Sequence, residues 1–128
     1  MADILFVHPN ASEKIYQGLS KKHSAIEPPI WAAMLANHCR VKNFGVQFLD
    51  WEASAKIINE INPRIVCFVV YGQQPSASSQ NMSGAIGTAK LVKKFNPNTK
   101  ILFVGGHVAA LPLDVLKEDC VDMVCQNE

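Results

Sequence analysis

The chain has 128 residues, 48% of them hydrophobic and 18% charged, with a net charge of +1. That composition excludes intrinsic disorder, which needs low hydrophobicity and high net charge, and argues against nucleic acid as a ligand, because binding phosphates needs a basic surplus. No apolar run approaches the roughly 20 residues of a membrane span, and Met1-Ala2-Asp3 lacks the basic stretch that opens a signal peptide, so the expectation is one cytoplasmic domain over residues 1–128.

Short apolar runs alternate with segments of helical period along the chain. The first run, residues 4–7, reads as a strand. Residues 9–29 follow, long for a strand-to-helix connection, where roughly two to six residues are usual; a loop of this length points to function. Residues 30–41 carry Ile30, Ala33, Met34 and Val41 at helical spacing behind Pro28-Pro29, a favourable helix opening. A strand is expected at 46–49. A helix at 53–61 follows, with Ile57, Ile58 and Ile61 on one stripe, ending before Asn62-Pro63 because the residue before a proline leaves the helical region. The third strand is expected at 65–70. The next helix, 79–95, gathers Ala85, Ile86, Ala89, Val92 and Phe95 and stops at Asn96-Pro97-Asn98. A strand at 101–104, a short helix at 112–117 and a last strand at 121–125 complete the pattern.

Most of these strands are continuously apolar, as parallel strands covered on both faces should be. The repeat therefore predicts an α/β fold: a flavodoxin-like (Rossmann-like) open parallel sheet of five strands, order 2-1-3-4-5, with helices on both faces and ligands at the carboxyl edge. The four cysteines (Cys39, Cys67, Cys120 and Cys125) lack metal-ligand spacing. Cys67 and Cys125 fall in apolar runs and read as small buried hydrophobes.

Residues after each strand should converge on one rim: His8-Pro9-Asn10, Asp50-Trp51, Tyr71-Gly72-Gln73-Gln74, Gly105-Gly106-His107 and Gln126-Asn127-Glu128. The rim is polar, bears glycine and carries little charge, which suits a large, mostly neutral ligand held by many hydrogen bonds. Gly105-Gly106 lets backbone approach a bulky group without a Cβ in the way, or simply makes a tight turn. The segment 76–83 holds four serines with Gln80 and Asn81, more than helix capping requires. The first strand is followed neither by the Gly-x-Gly-x-x-Gly of dinucleotide-binding folds nor by a phosphate loop, and the acidic cluster of receiver domains is also missing. Asp50 reads as a helix cap or turn former.

Taken in order, several of these segments resemble the cobalamin-binding domain at the N-terminus of cobalamin-dependent radical S-adenosylmethionine enzymes. They are the strand running into Pro9, Glu27-Pro28-Pro29, Phe48-Leu49-Asp50, Ile61-Asn62-Pro63-Arg64-Ile65-Val66, Val104-Gly105-Gly106-His107 with Leu111-Pro112 behind, and the final run into Asn127-Glu128. The resemblance implies a cobalamin whose nucleotide tail is threaded between sheet and helices. Gly105, Gly106 and His107 would border that tail, with Asn127 and Glu128 near its far end. Tyr71, Gly72, Gln73 and Gln74 would lie beneath or beside the corrin ring, and the first loop, with His8, Pro9 and Asn10, would face it. The Asp-x-His-x-x-Gly pattern of other cobalamin proteins is absent, so the implied state has its base detached and no histidine in its place, with His8 as the alternative cobalt ligand. The Cys-x-x-x-Cys-x-x-Cys that holds a [4Fe–4S] cluster is also absent. The resemblance thus implies that the cluster, S-adenosylmethionine and the methyl transfer or related radical step belong to a downstream domain of a longer polypeptide. The alternatives are a ligand-free, flavodoxin-like interaction module and a small enzyme using His8 and His107 as acid and base. No carboxylate is placed by the sequence to orient either histidine, and His23 and His38 read as surface residues.

Overall fold

A computed structural model of the chain describes residues 2–9, 28–50, 54–71 and 75–126. The elements in chain order are β1 (Ile4–His8), α1 (Ile30–Val41), β2 (Val46–Asp50), α2 (Ala55–Ile61), β3 (Ile65–Val70), α3 (Pro75–Phe95), β4 (Lys100–Gly105), α4 (Gly106–Ala110), α5 (Pro112–Leu116) and β5 (Met123–Val124). All strand pairs are parallel, in the order β2-β1-β3-β4-β5. This is the expected flavodoxin-like sheet, and the connections between parallel strands supply its helical layers. No helix among the described residues is long and apolar enough to cross a membrane.

Two cores flank the sheet. On one face Leu5, Val7, Val66, Phe68, Ile101 and Phe103 pack against Ile58 of α2, Ala85, Ala89 and Val92 of α3, and Val108 of α4. The Phe68 and Phe103 rings stack there with centroids 5.1 Å apart. On the other face Phe6, Cys67 and Val69 pack against Ala32 and Ala36 of α1. These two alanines, one turn apart, let α1 sit close to the sheet. The predicted α1 stripe is therefore the wrong one: Ile30, Met34 and Val41 are exposed, as is Phe95 at the end of α3. Cys67 and Cys120 are each buried, on opposite faces of the sheet, whereas Cys125 is half-buried beside a two-residue edge strand. All four cysteines are thiols.

Several boundaries move. β1 and β2 each run one residue further than expected, because His8 pairs with Asp50 in the ladder. The start of α2 is set by Ser54, whose Oγ accepts the Ile57 N–H at 3.3 Å. Asp50, read as a cap, is a strand residue. α3 begins at Pro75, four residues before the expected start, because proline is well suited to the first helical position. The serine-rich stretch is thus helix rather than loop. β5 is cut to two residues.

Candidate functional site

Strand alternation divides the carboxyl edge into two sides. Phe6 and Phe48 pack toward α1, so His8 and Asp50, two residues further along each strand, face the same way. There His8 Nδ1 lies 2.8 Å from Asp50 Oδ1, and both side chains are largely shielded, 13% and 28% exposed. Tyr71, following β3, packs on the same face. Its ring lies 5.5 Å from that of Trp31 in the first turn of α1. Pro9 is buried just beyond β1.

The second group lies toward α3. Ser78, 2% exposed, donates its hydroxyl to the Val70 carbonyl at 2.6 Å and accepts the His107 backbone N–H at 3.0 Å. One side chain thereby ties the tips of β3 and β4 to the first turns of α3. Ser79 Oγ and His107 Nδ1 share a hydrogen bond of 2.8 Å at the surface. A cleft of about 600 Å³ opens beside them, between α3 and α5, lined by Met82, Ser83, Ile86 and Val115 among others. Asp114 also lines it, its carboxyl held below the usual range by the hydrogen bond and charge of Lys117, with His107 contributing. A hollow of about 780 Å³ at the opposite, amino edge is lined by Asp3, Phe44, Arg64 and Lys100 among others. It contains none of the rim residues.

The paired glycines have different jobs. Gly105 is buried and stands opposite Val70 in the ladder. A Cβ there would run into the Val70 carbonyl, 2.9 Å from its carbon. The sheet itself demands this glycine. Gly106 is exposed, and a Cβ would meet only Ser78, at 3.8 Å from Oγ. Packing does not require this second glycine, which leaves bare backbone at the tip.

The expected rim is therefore assembled in part. His8, Pro9, Tyr71, Gly106 and His107 reach the carboxyl edge, and Gly105 supports it from within. Asn10, Gly72, Gln73, Gln74, Asn127 and Glu128 lie outside the described residues, as do Trp51 and His23. His8 and His107 are not brought together: β3 separates their strands, and each has its own partner. His38 is exposed on α1, as expected. Two participants escaped the sequence reading. Asp50 as the partner of His8 depends on strand register, which composition does not reveal. Trp31 carried one available signal, an aromatic directly after the Pro28-Pro29 helix opening.

The family model described as B12 binding domain matches residues 19–128. Comparison with curated proteins and with solved structures returned no match.

Proposed function

Because the chain belongs to the B12 binding domain family, we propose that it binds cobalamin with the nucleotide base detached from cobalt and the tail running along the α1 face of the β3 and β4 tips. The observation that carries this path is the asymmetry around Gly106. Toward α3 the seam below the tip is filled by Ser78 and the packed side chains of Met82 and Ala85. Toward α1, Tyr71, Leu102 and Val104 are half-buried, and Met123, beside Leu102 in the ladder, is exposed. Among the described residues α1 lies over β1 and β2, and no helix covers β4 and β5 on that side.

The residues present fit such a ligand. Gly106 offers backbone without a side chain, and the apolar strip beside it accepts a flat heterocycle. The rim's hydroxyl, imidazole and phenol groups suit a large, amide-bearing molecule of little net charge. When bound, cobalamin supplies an organometallic cobalt centre for methyl transfer, while the protein sets its position and environment. In this reading Tyr71 and Pro9 bear on the ring, and Gly106 and His107 border the tail. The ordered segments that resemble those of the radical S-adenosylmethionine enzymes support a place as accessory domain in such an enzyme. A downstream domain of the same polypeptide would then hold the [4Fe–4S] cluster and S-adenosylmethionine, and would carry out the methyl transfer or a related radical step.

The test is addition of hydroxocobalamin to the 128-residue chain, with visible spectra taken before and after desalting. Retained colour is expected, together with stabilisation of about 2.7 kcal/mol at a ligand concentration 100 times Kd. Val104→Trp, which fills the strip, should release the cofactor while keeping its circular dichroism spectrum. Colour lost from the unmodified chain overturns cobalamin binding. A folded Val104→Trp chain that stays coloured overturns the tail's path.

A further inference from the structure

α1 is apolar on two sides. Ala32 and Ala36 face the sheet, while Ile30, Met34 and Val41 lie on the opposite stripe with Asn37, all of them exposed. A surface helix normally keeps one apolar stripe and gives its other face to polar groups; among the described residues nothing covers this second one. β2, beneath α1, is the outer strand of the sheet. Edge strands are normally blunted by shortness, charge, proline or a bulge. β5, at the other edge, has two residues and is preceded by Asp122 with its partners Lys93 and Lys100. β2 has five residues in unbroken register with β1, and it contains neither lysine nor proline. Its one charged residue, Asp50, is engaged by His8. An uncovered apolar stripe and an unguarded strand edge therefore lie side by side.

We propose that the β2 edge and the exposed stripe of α1 form a two-fold interface with a second copy of this chain, β2 pairing antiparallel with the other β2 and α1 packing antiparallel to the other α1. A second copy meets both features at once, because it brings an identical edge and an identical stripe. Neighbouring strands lie about 4.8 Å apart, and α1 lies over β1 and β2. A two-fold axis at the free edge thus sets the two helices about two strand spacings, or about 9.6 Å, apart, within the roughly 8–10 Å axial spacing of packed helices. Antiparallel packing places Ile30 of one copy against Val41 of the other, and Met34 against Asn37. It also suits the charges. α1 has no acidic residue, and Arg40, with Lys42 just beyond, lies at one end only. Like charges that would meet in a parallel pair fall at opposite ends, with Lys42 toward the Asp50 end of the other β2. A two-fold contact of this kind is closed, so it covers both edges without building a fibre. The interface lies away from the tips of β3 and β4 and does not depend on cobalamin binding.

The experiment is sedimentation equilibrium of the 128-residue chain over a concentration series, with hydrogen exchange measured at both ends of the series. The apparent mass should rise to twice that of the single chain, and the β2 amides should exchange more slowly in the dimer. The double variant Ile30→Lys/Val41→Lys alters only exposed positions, so it should keep its circular dichroism spectrum, yet it should stay monomeric because like charges then face each other across the axis. Ile30→Glu/Val41→Lys sets opposite charges at the same places and should restore the dimer. A parent chain that is monomeric at every concentration overturns the proposal, and slow exchange of its β2 amides would then mean that another part of the same chain covers the edge. A dimer that survives in Ile30→Lys/Val41→Lys uses some other surface and overturns it as well. Failure of Ile30→Glu/Val41→Lys to restore association overturns the antiparallel packing of α1.

Discussion

Gly105 stands opposite Val70 in the β3–β4 ladder, so close that a Cβ on Gly105 would collide with the Val70 carbonyl group. Gly105→Ala is therefore expected to cost about 1–3 kcal/mol by overpacking. Gly106→Ala, whose Cβ would make an ordinary contact with Ser78, should change stability by less than about 0.5 kcal/mol. Urea unfolding of both variants checks this. Equal losses would mean that the two glycines share one role.

Ser78 is the buried clasp between the two strand tips and α3. Ser78→Ala leaves the Val70 carbonyl and the His107 N–H without that partner, a loss of about 1–3 kcal/mol. Ser79→Ala removes only an exposed hydrogen bond and should stay within about 0.5 kcal/mol of the parent. Thermal melts distinguish the two, and a Ser79 variant as unstable as the Ser78 variant contradicts the assignment.

Asp122 joins the lead-in of β5 to β4. Its carboxylate accepts the Ile101 N–H at 2.8 Å and faces Lys93 at 2.7 Å and Lys100 at 3.6 Å. Burial pushes this carboxyl up, but the Lys93 hydrogen bond, the Ile101 N–H and the two ammonium charges outweigh it, so the group lies below the usual value of 3.8. A depressed folded pKa contributes stability above the unfolded pKa, and that contribution disappears as pH falls through the folded value. Stability should decline below pH of about 4, and Asp122→Asn should be less stable at neutral pH with a shallower acid slope. Urea midpoints across the acid range give the comparison; parallel slopes would remove Asp122 from the account.

At the alkaline end the buried Cys67 thiol contributes. Burial, helped by nearby Cys39 and Cys125, pushes its pKa from 9.0 up to about 12. The folded chain holds this proton more tightly than the unfolded chain does. The associated stability is thus complete below pH of about 9 and is lost as pH rises from there toward the folded value. Iodoacetamide at mildly alkaline pH should leave Cys67 unmodified in the native chain and alkylate it in urea, as mass spectrometry of peptides would show. Rapid native alkylation at Cys67 would contradict its burial.

Strand interiors were easier to read from the sequence than strand ends. Ile65–Val70 is buried on both faces and therefore nearly all apolar, so residue type alone announces it. His8 and Asp50 are polar residues at strand ends, where nothing local distinguishes the last ladder pair from the first loop residue. Missing that single step hid the contact between them. In α1 the large apolar residues suggested the buried stripe, but the helix lies so near the sheet that Ala32 and Ala36 fill the interface. The serines of α3 resembled loop residues because their partners, the strand tips at Val70 and His107, are 8 and 29 residues away.

What the amino-acid sequence determined by itself is the parallel five-stranded layering, its strand order and the polar, weakly charged carboxyl rim. The layering follows from hydrophobic period and connection length, which are local quantities, and the strand order is the common one for a five-stranded repeat of this kind. Only the tertiary structure decided that Gly105 serves the sheet while Gly106 is bare, that His8 has a carboxylate beside it, and that the rim is split between two faces. Each depends on the pairing of strands distant in the chain, and a shift of one residue in a strand sends its side chain to the opposite side.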